Sequence, residues 1–165
     1  LTDSSAASDV YKRQNLTRGE SKEIIDNYFK SYPKLKEYMS NQISFAREKG
    51  YVETILKRKR YLPEINSRNA MIRSSAERNA INTPVQGSAA DIIKLAMIKI
   101  DSELEKKSLK SKLLLQVHDE LVFDVHLAEL DIVKQIVLKN MENAIQIDVP
   151  LKVDIGNGDN WLVAH

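Results

Sequence analysis

The chain has 165 residues, of which 42% are hydrophobic and 29% are charged, and its formal net charge is +2. This length suffices for one domain with a hydrophobic core, and the small net charge excludes a polycation that binds nucleic acid over its whole surface. The lack of cysteine excludes disulfides and thiolate metal sites. No apolar stretch has the ~18 residues of a membrane span, which predicts a cytoplasmic protein without a membrane partner.

The N-terminal part of the chain is predicted to begin with disorder and continue as a helix. Residues 1–14 share no periodicity with the rest of the chain and are rich in Ser, Ala and Asp, which is typical of disorder. Thr17 and Glu20 form an S/T-x-x-E capping box, so a helix is expected from there to about Ser31. Its predicted inward side consists of Ile24, Ile25, Tyr28 and Phe29.

A second helix and a hairpin are predicted next. Pro33 interrupts or restarts the helical pattern, which then continues to about Lys49 and is ended by Gly50. The following stretch, YVETILKRKRYLPEI, has β-forming residues on both sides of a basic cluster. This pattern predicts a hairpin with residues 57–60 near its tip.

Two further helices are predicted on either side of Thr83 and Pro84. Residues 67–82 have a helical pattern with an apolar stripe of Met71, Ile72 and Ala76. Thr83 followed by Pro84 is the signal of an N-cap and a first helical residue, so a separate helix is predicted to begin there. Its 3.6-residue period is made by the apolar residues Val85, Ala89, Ile92, Ile93, Ala96, Met97 and Ile100.

The C-terminal part of the chain is predicted to contain strands around one helix. Residues 113–117, 121–125 and 151–155 are predicted strands. The helix before the last strand is marked by Leu130, Val133, Val137, Met141 and Ile145. Helices followed by a hairpin, a helix and a strand predict the α+β class, with helices packed on a small antiparallel sheet.

Three ionisable residues interrupt the apolar stretch LLLQVHDELVFDV, and they are the first candidate site. If its two halves are adjacent strands, His118, Asp119 and Glu120 lie at the turn, and Asp119 and Glu120 point to opposite faces. Such carboxylates could bind Mg²⁺, which prefers oxygen ligands. A polar turn without function explains the same residues. The other carboxylates, such as Asp91, Asp124 and Asp154, are too dispersed to decide between the two.

Arg78, Asn82 and Gln86 are spaced by four and are the second candidate set. On a continuous helix they would form one stripe, although Pro84 predicts a break within it. Their N–H donors suit the acceptors that every base pair has in the minor groove, so they could read duplex shape independently of sequence. Exposed helix residues without function explain the same spacing.

A basic tract is the third candidate set. Positive residues interleaved with Tyr51 and Tyr61 suit a phosphate backbone, although a solvated hairpin tip is an equally good interpretation. The tract consists of Arg47, Lys49, Lys57, Arg58, Lys59, Arg60, Arg68 and Arg73.

Taken together, these stretches resemble one family. LLLQVHDELVFDV resembles the C motif of the family A DNA polymerases, the bacterial DNA polymerase I type. AERNAINTPVQGSAADIIKLAM and VPLKVDIGNGDNWLVAH are similar to palm segments of the same family, in the same order and at matching distances. GYVETILKRKRYLPEINSR resembles the stretch after the fingers helices of the family. The resemblance extends from about Asn15 to His165.

The resemblance implies a template-directed DNA polymerase of replication or repair. The primer 3′-hydroxyl would attack the α-phosphate of a deoxynucleoside triphosphate and release pyrophosphate, with two Mg²⁺ ions as cofactors. Asp119 would be a catalytic metal ligand, with Glu120 beside it. The residues that would contact primer–template DNA are His118, Arg78, Asn82, Gln86 and the hairpin residues Lys57, Arg58, Lys59 and Arg60. The full-length protein is expected to be a monomer.

The chain also departs from the family pattern. The family usually has Gly where Lys57 stands, so either Lys57 adopts a φ that favours Gly or the turn differs. The other catalytic aspartate and the nucleotide-binding helix of the family lie upstream of the resemblance. The chain is therefore expected to be a truncated C-terminal piece that is inactive alone. Its expected parts are an artefact in residues 1–14, part of the fingers in residues 15–66 and part of the palm in residues 67–165.

Two other functions remain open. A non-catalytic DNA-binding module would use the Arg78 stripe and the basic hairpin only. A metal-dependent phosphohydrolase would use Asp119 and Glu120 together with Asp91 or Asp154.

Overall fold

The computed structural model describes residues 17–164, so the disorder predicted for residues 1–14 lies outside the described residues. The helices of the described part are α1 (Arg18–Ser31), α2 (Pro33–Lys49), α3 (Ala70–Lys106), α4 (Leu130–Glu142) and α5 (Trp161–Ala164). Its strands are β1 (Tyr51–Glu53), β2 (Lys59–Tyr61), β3 (Lys112–Val117) and β4 (Glu120–Asp124). β1 pairs with β2 and β3 pairs with β4, which gives two antiparallel sheets of two strands each. Short 3₁₀ helices lie at Pro63–Asn66 and Leu127–Glu129. The predicted α+β class is confirmed.

The chain divides into two compact units. Among the described residues, the first consists of residues 17–51 and Leu62–Ile81, and the second of Val52–Tyr61 and residues 82–164. Within residues 17–164, no helix combines the length and the apolar composition that crossing a membrane requires.

The helix ends predicted in the first unit are confirmed. The Thr17 amide donates to the Glu20 carboxylate at 2.7 Å, and the Glu20 amide donates to the Thr17 hydroxyl at 3.3 Å, which completes the capping box. Gly50 ends α2 with a φ of 77°, a left-handed conformation that glycine adopts without steric cost.

The inward side predicted for α1 is partly wrong. Ile24 is 56% exposed and Tyr28 is exposed too, whereas Ile25 and Phe29 are half-buried. The stripe predicted at the start of α3 is also wrong for Met71, which is 82% exposed, and only its Ala76 is buried. A helix buries only the side that another element covers, and the described chain leaves these sides open.

The predicted helix break at Pro84 is wrong. The structure has a single helix, α3, from Ala70 to Lys106, with Pro84 inside it. The start signal fails because the Thr83 hydroxyl does not cap the helix but accepts a hydrogen bond from the Arg60 guanidinium at 3.1 Å. Pro84 has no N–H group for the usual helical backbone hydrogen bond. Near it, the Ser88 hydroxyl donates to the Pro84 carbonyl oxygen.

The core of the second unit lies between α3, α4 and one face of β4. Its buried side chains are Ala96, Ile100, Leu104, Val133, Ile136, Val137 and Ala144, with Leu121 and Phe123 of β4 packed against them. This arrangement confirms that helices pack on a small antiparallel sheet. The strand predicted for residues 151–155 is wrong, because residues 151–158 have no regular structure. A strand needs a neighbour for its backbone hydrogen bonds, and none is assigned to this stretch.

Candidate functional site

The His-Asp-Glu triplet lies at a tight turn between β3 and β4. Val117 pairs with Glu120, so His118 and Asp119 alone form the turn and Glu120 already belongs to β4. His118 has a φ of 52°, a conformation that two-residue hairpin turns need but that side chains with a Cβ rarely adopt. The Gln116 side-chain amide donates to the His118 carbonyl oxygen at 2.9 Å. The turn is therefore held by the backbone pairing of β3 with β4 and by the Gln116 side chain.

The open end of the same hairpin is fastened by Glu129. Its carboxylate accepts from the Ser111 hydroxyl at 2.6 Å and from the Lys110 and Ser111 amides at 3.0 Å. These hydrogen bonds lower the pKa of Glu129 to about 2, because the donors favour the ionised carboxylate. The Ser111 hydroxyl has the largest effect, and the backbone amides of Lys110 and Ser111 add to it. The Ser111 hydroxyl also accepts from the His126 amide at 3.0 Å. Both ends of the β3–β4 hairpin are thus anchored.

The turn has the donor chemistry of a magnesium site but only part of the ligand set. His118 and Asp119 are exposed, and Glu120 is half-buried. Carboxylate oxygens suit Mg²⁺, which is commonly held by one or two carboxylates plus substrate phosphates. Within residues 17–164, no group of three or more His, Asp or Glu residues is arranged to hold a metal ion. The residues present therefore fit a shared site and not a self-sufficient one.

A second polar cluster joins the basic hairpin to α3, and we call Thr54, Arg58 and Asp91 the Asp91 cluster. Arg58 places Nε 2.9 Å and Nη2 2.8 Å from Oδ1 of Asp91, and the Thr54 hydroxyl donates to Oδ2. Asp91 is only 6% exposed. Burial raises the pKa of Asp91, but the bonds from Thr54 and Arg58 and the charges of Arg58 and Lys94 more than offset this, so the pKa is lowered overall. Asp91 is a buried anion with a matched cation.

A pocket of about 400 Å³ lies beside this cluster, within the second unit. Its polar lining comes from Thr54, Arg58, Lys59 and Arg60 of the hairpin and from Thr83 and Gln86 of α3. Because Arg58 is paired with Asp91, Lys59 and Arg60 are the cations of this surface that favour an anionic ligand.

Several other predicted basic residues have carboxylate neighbours in the structure. Lys57 lies 3.4 Å and Lys59 lies 4.0 Å from the Glu53 carboxylate. In the first unit, Arg47 forms a 2.5 Å ion pair with Glu77. Lys57 has a φ of 64°, so it does adopt the left-handed conformation in which the family usually has Gly. The role of these residues in phosphate binding stays a prediction.

The predicted minor-groove residues all lie exposed on α3. Asn82 and Gln86 belong to the second unit and are about one helical turn apart. Arg78 belongs to the first unit, where its guanidinium donates to the Ser74 hydroxyl at 3.2 Å. Their contacts with DNA remain predictions.

The Asp91 cluster was not predicted from the sequence. Asp91 is too isolated along the chain to indicate a metal site, and Thr54 carries no signal of its own. One available signal was the position of Asp91 beside Ile92 and Ile93 in an apolar pattern, since a carboxylate on a buried side requires a cation. The identity of that cation could not be read from the sequence, because Arg58 lies 33 residues away.

Comparison with known proteins relates the chain to one family of DNA polymerases. The model of the family described as DNA polymerase family A matches residues 5–163, a range that begins upstream of Asn15. DNA polymerase I of Lactococcus lactis subsp. lactis is 53% identical over 149 residues, which are 90% of this chain and 17% of that protein. DNA polymerase I of Bacillus subtilis is 51% identical over 156 residues, which are 93% of this chain and 18% of that protein.

A solved structure shows the same fold. The POL domain of Pol1 from M. smegmatis, in complex with DNA primer-template and dNTP, superimposes with a TM-score of 0.90 and 43% sequence identity. The match covers 93% of this chain and 27% of that one. The chain spans less than a fifth of the length of the two DNA polymerase I proteins named above. The chain belongs to DNA polymerase family A.

Proposed function

We propose that the chain is part of a DNA-directed DNA polymerase that acts in replication or repair. The single observation that supports this most is the His118–Asp119 turn, which holds an exposed carboxylate rigidly in a chain of family A. Rigid placement on a strand hairpin is what a catalytic carboxylate needs. The solved relative with DNA primer-template and dNTP supports primer–template DNA and deoxynucleoside triphosphates as partners.

The proposed roles follow from the chemistry of each side chain. Asp119 would hold Mg²⁺ through carboxylate oxygen, and Glu120 would add a second carboxylate beside it. When bound, two Mg²⁺ ions would lower the pKa of the attacking 3′-hydroxyl and stabilise the leaving oxygens. His118 would lie at the primer terminus. Arg78, Asn82 and Gln86 would donate to the minor-groove acceptors of the newly formed pairs.

The proposed organisation assigns residues 15–66 to the fingers and residues 67–165 to the palm of a monomeric cytoplasmic enzyme. We expect the 165-residue chain alone not to extend primers. The reason is that a site for two metal ions needs more protein ligands than Asp119 and Glu120, and residues 17–164 offer no cluster of three ligands. The residues that we propose to contact DNA are all present in the chain.

A chimera tests the polymerase proposal directly. In DNA polymerase I of Bacillus subtilis, the 156 matching residues are replaced by the corresponding residues of this chain, and primer extension is followed with Mg²⁺ and all four deoxynucleoside triphosphates. We expect extension by the chimera and a loss of about a thousandfold or more in Asp119→Ala, because a metal contributes several kcal/mol to the transition state. Asp124→Ala, an exposed carboxylate at the end of β4, is the matched control and should extend normally.

The same experiment can reject the proposal. Extension that is unaffected by Asp119→Ala would contradict the catalytic role of this carboxylate. A folded chimera that binds primer–template but never extends it would favour a DNA-binding module, and Mg²⁺-dependent release of phosphate or nucleotides without extension would favour a phosphohydrolase.

A further inference from the structure

The hydrogen bonds of Arg58 are at odds with its predicted role as a phosphate contact. Nε of Arg58 donates to the Asp91 carboxylate at 2.9 Å, and Nη2 lies 2.8 Å from the same carboxylate oxygen while it donates to the Gly87 carbonyl oxygen at 3.1 Å. A carboxylate as buried as Asp91 would be costly to leave without its cation. Arg58 is therefore committed to the protein itself.

The surroundings of this ion pair fix the hairpin turn on α3. The Ile55 amide donates to the Ser88 hydroxyl at 2.8 Å, and the Thr54 hydroxyl reaches Asp91. A Cβ at Gly87 would lie 2.6 Å from the Thr54 methyl group, so only glycine allows this close approach without a shift. The turn is held at three successive points of one helical face, Gly87, Ser88 and Asp91.

The fixed turn leads directly into the cationic side of the pocket. Lys59 and Arg60 follow Arg58 in the chain and begin β2, and both line the pocket together with Gln86. Arg60 is also bonded to Thr83 on α3. The placement of these two cations relative to Gln86 thus depends on where Arg58 is held.

We propose that Asp91 is a positioning residue for nucleic-acid binding, because it anchors Arg58 and thereby places Lys59 and Arg60 beside Gln86 to bind a phosphate of the DNA backbone. This proposal rests on the proposed function, since it takes DNA as the ligand.

The proposal makes a prediction opposite in sign to simple electrostatics. Removing a negative charge near a phosphate-binding surface should strengthen DNA binding. If Arg58 were itself the phosphate contact, Asp91→Asn would also release its guanidinium for DNA. If Asp91 is a positioning residue, Asp91→Asn weakens binding although the protein becomes more positive.

The measurement is the affinity of the 165-residue chain for a fluorescein-labelled primer–template, followed by anisotropy over a series of KCl concentrations. We expect Asp91→Asn to raise Kd about tenfold, as is usual for breaking a coupled network, and to reduce the salt slope by about one, as for one lost phosphate contact. The matched control is Asp101→Asn, an exposed carboxylate on the same helix, which should leave Kd unchanged or lower it. Binding by Asp91→Asn that equals or exceeds that of the unsubstituted chain would overturn the proposal.

A second pair of variants changes no charge and serves if Asp91→Asn fails to fold. Thr54→Val keeps the methyl group against Gly87 but removes the hydroxyl that donates to Asp91, and Thr54→Ser keeps the hydroxyl. We expect weaker DNA binding in Thr54→Val and nearly normal binding in Thr54→Ser. Normal binding in a folded Thr54→Val would refute the positioning role.

The same variants in the Bacillus subtilis chimera separate positioning from general damage. A positioning residue should raise the KM for primer–template and leave kcat nearly unchanged, whereas an equal loss in kcat would contradict the proposal. The two proposals fail separately. Extension by the unsubstituted chimera tests the polymerase, and the relative DNA affinity of the variants tests Asp91.

Discussion

Lys57 is expected to destabilise the hairpin that carries it. Its φ of 64° costs a residue with a Cβ about 1–2 kcal/mol relative to glycine. Glycine in turn loses about 0.5–1 kcal/mol through its greater freedom in the unfolded chain. The ion pair with Glu53 at 3.4 Å contributes little, because the Lys57 side chain is 80% exposed. We therefore expect Lys57→Gly to raise the free energy of unfolding by about 0.5–1 kcal/mol.

Urea denaturation of the chain, and of the Bacillus subtilis chimera, measures this difference. Lys57→Ala removes the ion pair but keeps the left-handed conformation, so its stability should stay within about 0.5 kcal/mol of the unsubstituted chain. Lys59→Gly places glycine in strand β2 of the same hairpin and should lower stability by about 0.5–1 kcal/mol. A Lys57→Gly variant no more stable than the Lys57→Ala variant would refute the argument from backbone strain.

Two further predictions concern the β3–β4 hairpin and the core. The pKa of Glu129 in the folded chain, about 2, lies below its ordinary value of 4.5, so its contribution to stability is complete above pH 4.5 and declines as the pH falls towards 2. Glu129→Gln should reduce this acid-induced loss of stability in unfolding titrations, and an unchanged pH profile would contradict the prediction. Ile100 is buried in the core, so Ile100→Ala should lower the free energy of unfolding, measured by urea denaturation, by about 2–5 kcal/mol. Ile98 is exposed on the same helix, so Ile98→Ala should lower it by about 0.5 kcal/mol or less. Equal losses would show that the core lies elsewhere.

Signals confined to a few neighbouring residues predicted the fold well. The capping box of Thr17 and Glu20 and the helix end at Gly50 occur where the sequence places them. Both depend on backbone groups within one helical turn. The start signal at Thr83 and Pro84 failed because a residue more than twenty positions away, Arg60, takes the Thr83 hydroxyl. Tertiary contacts of this kind leave no local pattern.

The side of a helix that is buried was predicted less well, for the same reason. Periodicity identifies the apolar side of α1 but not whether another element covers it, and Ile24 is exposed. In the second unit the same reasoning succeeded for Ala96 and Ile100, which are buried in the core. The difference lies in the presence of α4 and β4 as packing partners.

The environments of Asp91 and Asp119 explain why the role of Asp91 was overlooked in the sequence and why Asp119 was predicted to be a metal ligand. Asp91 is buried and bonded to Thr54 and Arg58, so its charge is already compensated and a metal ion would have to displace these partners at a cost. Asp119 is exposed at a turn whose backbone is held in a strained conformation at His118, and strain of this kind persists where the surroundings require a defined geometry. In the sequence, both are aspartates within largely apolar stretches. The compensation of charge distinguishes Asp91, which holds the protein together, from Asp119, which we propose as a metal ligand.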